Sequence, residues 1–109
     1  MSWCVIFYQN SRGEKVVKEF LETEGESLMS KVDSKIKLLQ EYVPFLGMPH
    51  SKKLDSQLYE LRIRGKNEIR IFYAFIRNKI CLLHVFKKKT QETPKREMEL
   101  AHQRLNTLT

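Results

Sequence analysis

A chain of 109 residues with 41% hydrophobic side chains is long enough for one modest core and too apolar for a disordered segment. Its formal net charge of +7 lies in the second half, because residues 1–51 carry 6 basic and 7 acidic side chains and residues 52–109 carry 14 and 6. This asymmetry points to a polyanionic partner such as nucleic acid, an acidic membrane or an acidic protein. No apolar run approaches the roughly 18 residues that span a bilayer, and no cleavable signal opens the chain, so we expect a cytoplasmic protein that uses no membrane.

The first half predicts one strand and two helices. Ser2 to Tyr8 is short, aromatic and β-branched, as expected of a strand, and residues 10–13 form a turn. Apolar residues then recur at helical spacing from Glu14 until Gly25 ends the first helix. The second helix has an apolar stripe of Leu28, Val32, Ile36 and Leu39. Residues 43–51, which include two prolines and a glycine, form a loop.

The second half predicts a meander of three strands followed by a helix. The strands are residues 58–64, 68–75 and 79–88, joined by turns at 65–67 and 77–78. Thr93 suits the N-cap of the last helix and Pro94 its first position. The apolar stripe of that helix is Met98, Ala101, Leu105 and Leu108.

The resulting order, β-α-α-β-β-β-α, predicts a single domain over residues 1–109. We expect an α+β fold in which a small, twisted, mainly antiparallel sheet carries all of its helices on one face. The opposite face would then be open to solvent. Alternation along the strands places basic and aromatic side chains on that open face: Arg62, Arg64, Arg70, Phe72, His84, Phe86 and Lys88.

Basic residues interleaved with aromatic rings suit RNA, because cations bind phosphates and rings stack on unpaired bases. The same cations also suit an ordinary solvated sheet surface, where Lys and Arg keep the protein soluble and protect sheet edges. His84 in an apolar strand is more often a hydrogen-bonded packing residue than a general base. Glu60 is either a base or an ion-pair partner of Arg62 or Arg70.

The two cysteines, Cys4 and Cys81, lie in apolar strand-like stretches without the spacing of a metal site. Reduced, buried thiols are the expected state, since free cysteine is commonly a core residue. The chain carries no metal-binding or nucleotide-cofactor motif, and we expect neither a metal nor a cofactor.

Five short segments of the second half carry a family resemblance. They are SKKL (51–54), LYELRIRG (58–65), RIFY (70–73), LLHVFKKKTQ (82–91) and TPKRE (93–97). Together they resemble the HigB-like, phage-derived branch of the RelE/ParE toxin superfamily, and the first half agrees in layout. The resemblance implies a RelE-like fold and the toxin of a bacterial type II toxin–antitoxin pair. Its partners would be a helix-turn-helix antitoxin, the ribosome and mRNA.

The resemblance also implies a reaction. Such toxins enter the ribosomal A site and cut mRNA without a metal: the ribose 2′-OH attacks the adjacent phosphate, which leaves a 2′,3′-cyclic phosphate and a 5′-OH end. By position in the motifs, Arg70 would stabilise the phosphorane transition state. Arg62 or Glu60 would orient or deprotonate the 2′-OH, and Lys88 would neutralise or protonate the leaving oxygen. The expected RNA-binding residues are Lys52, Lys53, Arg64, Phe72, His84, Lys87 and Lys89, with Phe72 stacking on a base.

Two other functions remain open at this point. A ParE-like member of the same superfamily would poison DNA gyrase by protein contact and cut no RNA. A non-catalytic RNA- or DNA-binding module would use the same basic surface without chemistry. A ribosome-dependent nuclease shortens mRNA, a gyrase poison induces DNA damage, and a simple binder does neither.

Overall fold

A computed structural model describes residues 3–42, 51–89 and 94–108. Within them the helices are α1 (Val16–Thr23), α2 (Glu26–Tyr42) and α3 (Lys95–Leu108), and the strands are β1 (Cys4–Phe7), β2 (Ser51–Lys53), β3 (Tyr59–Ile63), β4 (Ile69–Ile76) and β5 (Lys79–Lys87). The predicted N-cap Thr93 and most of the predicted loop, residues 43–50, lie outside the described residues. None of the described helices has both the length and the apolar composition needed to cross a membrane.

The strands form one mixed sheet in the order β1-β5-β4-β3-β2. Strand β1 runs parallel to β5, and the remaining neighbours are antiparallel. The predicted α+β class is confirmed, and the architecture is compatible with a RelE-like fold. Strand β2 was not predicted, because an edge strand of three residues is too short to show alternation.

Two of the predicted chain reversals are confirmed by backbone geometry. Arg77 and Asn78 adopt φ values of 48° and 67° in the β4–β5 connection, as a two-residue hairpin turn requires. Gly25 separates α1 from α2 with φ at 101°, a conformation that glycine adopts without a Cβ clash. The turn between β4 and β5 and the break between α1 and α2 therefore lie at the residues that the sequence predicted.

The core has two layers, one on each face of the sheet. Helices α1 and α2 cover one face, where the buried side chains include Val17, Leu21, Val32, Leu39, Leu61, Ile63, Ile71, Tyr73 and Leu82. Helix α3 covers the other face, where they include Leu58, Phe72, Ala74, Cys81, Leu83, Phe86, Ala101 and Leu105. The expectation that all helices share one face is wrong. The apolar stripe of α3 needs an apolar partner, and β4 and β5 provide one because both of their faces are apolar along most of their length.

A β-bulge in β5 changes which side chains share a face. Phe72 pairs with His84 whereas Tyr73 pairs with Leu82, so Leu83 is an extra residue in the ladder. Strict alternation predicted Leu83 and His84 on opposite faces. The bulge places both on the α3 face, with Leu83 in the second core layer and His84 stacked on Phe86.

Candidate functional site

The candidate site lies on the α3 face of the sheet, where β2, β3, β4 and β5 lie side by side. Arg62 pairs with Arg70 across β3 and β4. Glu60 pairs with Phe72 on one side and with Lys52 on the other. Directly opposite residues project to the same face of a sheet. The register therefore brings together the side chains that the sequence placed on one face.

Glu60 joins the two arginines of this face. Its side chain is 1% exposed, and its Oε1 accepts a hydrogen bond from Nε of Arg62 at 3.2 Å. Nε of Arg70 lies 3.4 Å from the same oxygen. One buried carboxylate thus holds two guanidinium groups that would otherwise repel each other. Glu60 is an ion-pair partner of both arginines, one of the two roles expected for it.

A second carboxylate, Glu68, lies at the same end of the sheet within a group of three cations. Nη1 of Arg70 donates to Oε2 of Glu68 at 2.5 Å, and Nη1 of Arg64 lies 3.8 Å from Oε1. The hydrogen bond from Arg70 lowers the pKa of Glu68 against the opposing effect of burial, and the charges of Arg70, Arg64 and Lys88 lower it further. The Glu68 side chain is 39% exposed, so an ionised carboxylate faces solvent here.

The expectation that this face is open to solvent is wrong for most of its area. The Arg70 side chain is 6% exposed and that of Arg62 13%. Cations of this face that reach solvent lie at its margin, where Lys52 and Arg64 are exposed and Lys88 is half-buried. The exposed positive charge of this face therefore lies at its margin and not at Arg70.

The aromatic residues of this face are packed inside the protein. Phe72 is 0% exposed, and its ring contacts Phe86 with the ring centres 5.2 Å apart. Ala101 and Leu105 of α3 belong to the same apolar layer. The expectation that Phe72 stacks on a base is contradicted, because α3 occupies the space that a base would need.

His84 is also buried, and its two neighbours define its tautomer. Nδ1 lies 3.3 Å from Nη1 of Arg104, and Nε2 lies 3.2 Å from Oε1 of Glu97. A guanidinium only donates, so Nδ1 accepts and the proton sits on Nε2. Burial lowers the pKa of His84 and Arg104 acts in the same direction, while Glu97 opposes them. His84 is thus a neutral packing residue near pH 7, and at 8% exposure it is not the accessible RNA-binding side chain that we expected.

The lysines expected to bind RNA divide between the two faces of the sheet. Nζ of Lys87 pairs with Oε1 of Glu24 at 2.6 Å, and Nζ of Lys53 lies 5.9 Å from the ring centre of Tyr59. Both contacts are on the α1–α2 face. Lys52 shares the face of Glu60, and Lys89 is exposed at the end of the described segment 51–89. The sheet thus separates Lys53 and Lys87 from the opposite face. On that face Arg70 lies in a cluster with Glu60, Arg62, Arg64, Glu68 and Lys88, which we call the cluster around Arg70.

Residues 19–106 match the family model of the phage-derived protein Gp49-like family (DUF891). The chain belongs to the Gp49-like family. This is a family of type II toxin–antitoxin toxins, which implies an antitoxin partner. A search of curated proteins gave no match to this chain. The matched residues extend from α1 into α3 and include every residue of the cluster around Arg70.

Sequence reasoning missed three side chains in and around the candidate site: Glu68, Glu97 and Arg104. The alternation of β4 did place Glu68 beside Arg70, so a signal for it existed. Arg104 donates to the carbonyl oxygen of Leu83 at 2.8 Å and contacts His84. That role followed only from the position of α3. Within residues 3–42, 51–89 and 94–108, no group of three His, Cys, Asp or Glu side chains is arranged to hold a metal ion.

Proposed function

We propose that this chain is a toxin that cuts mRNA inside the bacterial ribosome by metal-independent attack of the ribose 2′-OH. Membership of the Gp49-like family supports the toxin class. The RelE- and HigB-like motifs support the choice of RNA cleavage and of a helix-turn-helix antitoxin as partner. The observation that carries the proposal is the Glu68 carboxylate among Arg64, Arg70 and Lys88.

Glu68 marks the place where a phosphate would bind. Carboxylates and phosphates are both anions that accept charge-assisted hydrogen bonds from guanidinium groups. A phosphate that displaced Glu68 would meet the same three cations, from the β3–β4 connection, β4 and the end of β5. Because a phosphorane carries more negative charge than the phosphate diester, those cations would stabilise the transition state more than the bound substrate.

Each side chain of the cluster then has a defined task. Glu60 positions Arg62 and Arg70, so that both cations are oriented before the substrate arrives. Glu68, displaced from Arg70 by the phosphate, is the more exposed of the two carboxylates and accepts the 2′-OH proton in place of Glu60. The oxygen of that hydroxyl forms a bond to phosphorus, the bond from phosphorus to the 5′ oxygen breaks, and Lys88 gives that oxygen a proton.

Lys88→Ala tests this assignment, because Lys88 is only half-buried and its loss opens no core cavity. We expect the rate of mRNA cleavage during translation, followed by primer extension, to fall about a hundredfold, equivalent to about 3 kcal/mol. Lys79→Ala is the matched control. It also removes one positive charge, and Lys79 is exposed at the opposite end of β5.

Circular dichroism checks that both variants remain folded. Folded Lys88→Ala protein that cuts at the wild-type rate would refute the assignment. Wild-type protein that leaves mRNA intact and damages DNA would support a gyrase poison instead.

A further inference from the structure

A second group of cations surrounds a cavity on the other side of Arg64. The cavity has a volume of about 190 Å³ and lies between α2 and the β3–β4 connection. The side chains that matter for its chemistry are Ser27, Lys31, Arg64, Lys66 and Asn67. A cavity of this volume has room for a phosphate group.

The charge of this cavity is positive. Lys31, Arg64 and Lys66 line it, and the carboxylate among its described lining residues is that of Glu24. Nζ of Lys87 lies 2.6 Å from Oε1 of Glu24, so that carboxylate already has a cation of its own. Burial lowers the pKa of the nearby Lys35, and the charge of Arg64 lowers it further. Cations are therefore crowded here, and a bound anion would relieve their repulsion.

One of these cations, Lys31, lies directly against the backbone of Gly65. A Cβ built on Gly65 would overlap Nζ of Lys31, so the ammonium group rests directly against the glycine. A side chain at residue 65 would therefore shift the Lys31 ammonium group, which lies at the flexible end of its side chain. This contact involves residues from α2 and from the β3–β4 connection, and it is independent of the charge count.

Arg64 connects the cavity to the cluster of the proposed function. Its guanidinium lines the cavity and also lies 3.8 Å from Glu68. We propose that the cavity binds a backbone phosphate of the RNA strand next to the phosphate that is cut, an inference that rests on the proposed function. Ser27 and Asn67 supply neutral hydrogen-bond donors, and Lys31, Arg64 and Lys66 supply the charge.

Two variants test the cavity: Gly65→Ala shifts the Lys31 ammonium group without changing the net charge, and Lys66→Ala removes one of the lining charges. The probe is inorganic phosphate, added to the isolated protein at constant ionic strength and followed by amide chemical shifts in NMR spectra. We expect saturable shifts at Ser27 and at residues 65–67 in the wild type, their weakening in Gly65→Ala and their loss in Lys66→Ala. Lys37→Ala, which removes a charge from an exposed position of α2 outside the cavity, should keep them.

The second readout is the dependence of mRNA cleavage on ribosome concentration. Gly65→Ala and Lys66→Ala should raise the half-saturating concentration several-fold and leave the maximal rate unchanged, because they remove binding and not chemistry. Lys66→Ala should also lower the slope of log affinity against log salt by about one.

The outcomes separate this inference from the proposed function. Absent phosphate shifts, or shifts spread over the whole surface, overturn the cavity as a phosphate site. Phosphate binding with an unchanged half-saturating concentration in both variants overturns RNA as the occupant, while cleavage by the wild type still supports the proposed function. Wild-type protein that cuts no mRNA overturns the proposed function and the RNA assignment with it, and the phosphate titration then decides the cavity alone.

Discussion

Arg70 contributes to the stability of the fold as well as to the proposed chemistry. Its guanidinium is an ion-pair partner of the buried Glu60. Arg62 still pairs with Glu60 when Arg70 is removed, so we predict that Arg70→Ala lowers the free energy of unfolding by about 1–3 kcal/mol. Urea denaturation followed by circular dichroism measures this change.

The control for Arg70→Ala is Arg64→Ala, because the Arg64 side chain is 63% exposed and pairs only loosely with Glu68. Its loss should change stability by less than about 0.5 kcal/mol. Equal, small effects of both substitutions would show that the Glu60 pair does not stabilise the fold. Because lost activity in Arg70→Ala can reflect lost folding, Lys88→Ala is the better probe of the chemistry.

His84 gives the protein a pH-dependent stability. Burial and Arg104 lower its pKa in the folded state, while Glu97 partly opposes them. Below the unfolded pKa of about 6.5, the unfolded chain therefore binds a proton that the folded chain does not. We predict that stability falls as pH drops from about 7 toward the lowered folded pKa, with a slope of at most about 1.4 kcal/mol per pH unit from this residue.

The measurement for His84 is urea denaturation at several pH values for the wild type and for His84→Gln. The difference between the two curves isolates His84 from the pair of His102 and Asp55, whose nitrogen and oxygen atoms lie 2.8 Å apart. We expect the variant to lose part of the acid-dependent decline. Parallel curves between about pH 5 and about pH 7 would contradict a neutral, buried His84.

Among the elements, α3 causes the largest difference between the predicted site and the observed one. Its stripe predicted a helix and one apolar contact surface, but the choice of sheet face was not encoded by that stripe alone. Because β4 and β5 carry apolar residues on both faces, as Ala74 and Cys81 illustrate, the sequence pattern does not show which face α3 covers. The two-sided core follows from that composition, and it explains why the aromatic side chains expected at a surface are buried.

The strands show which parts of the site could be predicted. Alternation in β3 and β4 correctly placed Glu60, Arg62 and Arg70 together, because the side-chain period of a strand is a local property. The bulge at Leu83 depends on how β5 fits both β4 and α3, so no local pattern predicted it. The ion pairs of Glu60 and Glu68 likewise depend on burial, which the sequence pattern does not give.

The packing of α3 on the sheet can be tested with Leu105→Ala. Leu105 is 3% exposed in the layer between α3 and the sheet, so its truncation should lower the free energy of unfolding by about 2–5 kcal/mol. Leu108→Ala is the control, since Leu108 belongs to the same stripe and is only partly buried. If urea denaturation showed that both substitutions lower the free energy of unfolding equally, the described packing of α3 on the sheet would be contradicted.

For the whole molecule, the charge asymmetry of the sequence predicts that the partner is negatively charged, but it does not predict where the partner makes contact. Several basic side chains of the second half are paired, as Arg62 and Arg70 are with Glu60. Among the exposed basic side chains, Arg64 and Lys66 lie at the β3–β4 connection, next to Glu68 in the chain. That end of the sheet is where we place both the cleaved phosphate and its neighbour.

The most direct test of the central proposal is the chemistry of the cut ends. Translating ribosomes are incubated with the wild-type protein, and the new RNA ends are examined for their 5′ and 3′ groups. Attack by the 2′-OH must leave a 5′-OH that polynucleotide kinase labels without prior dephosphorylation, and a 2′,3′-cyclic phosphate on the other fragment. Fragments that carry a 5′-phosphate, or mRNA that stays intact while the protein is folded and bound to ribosomes, would contradict the account.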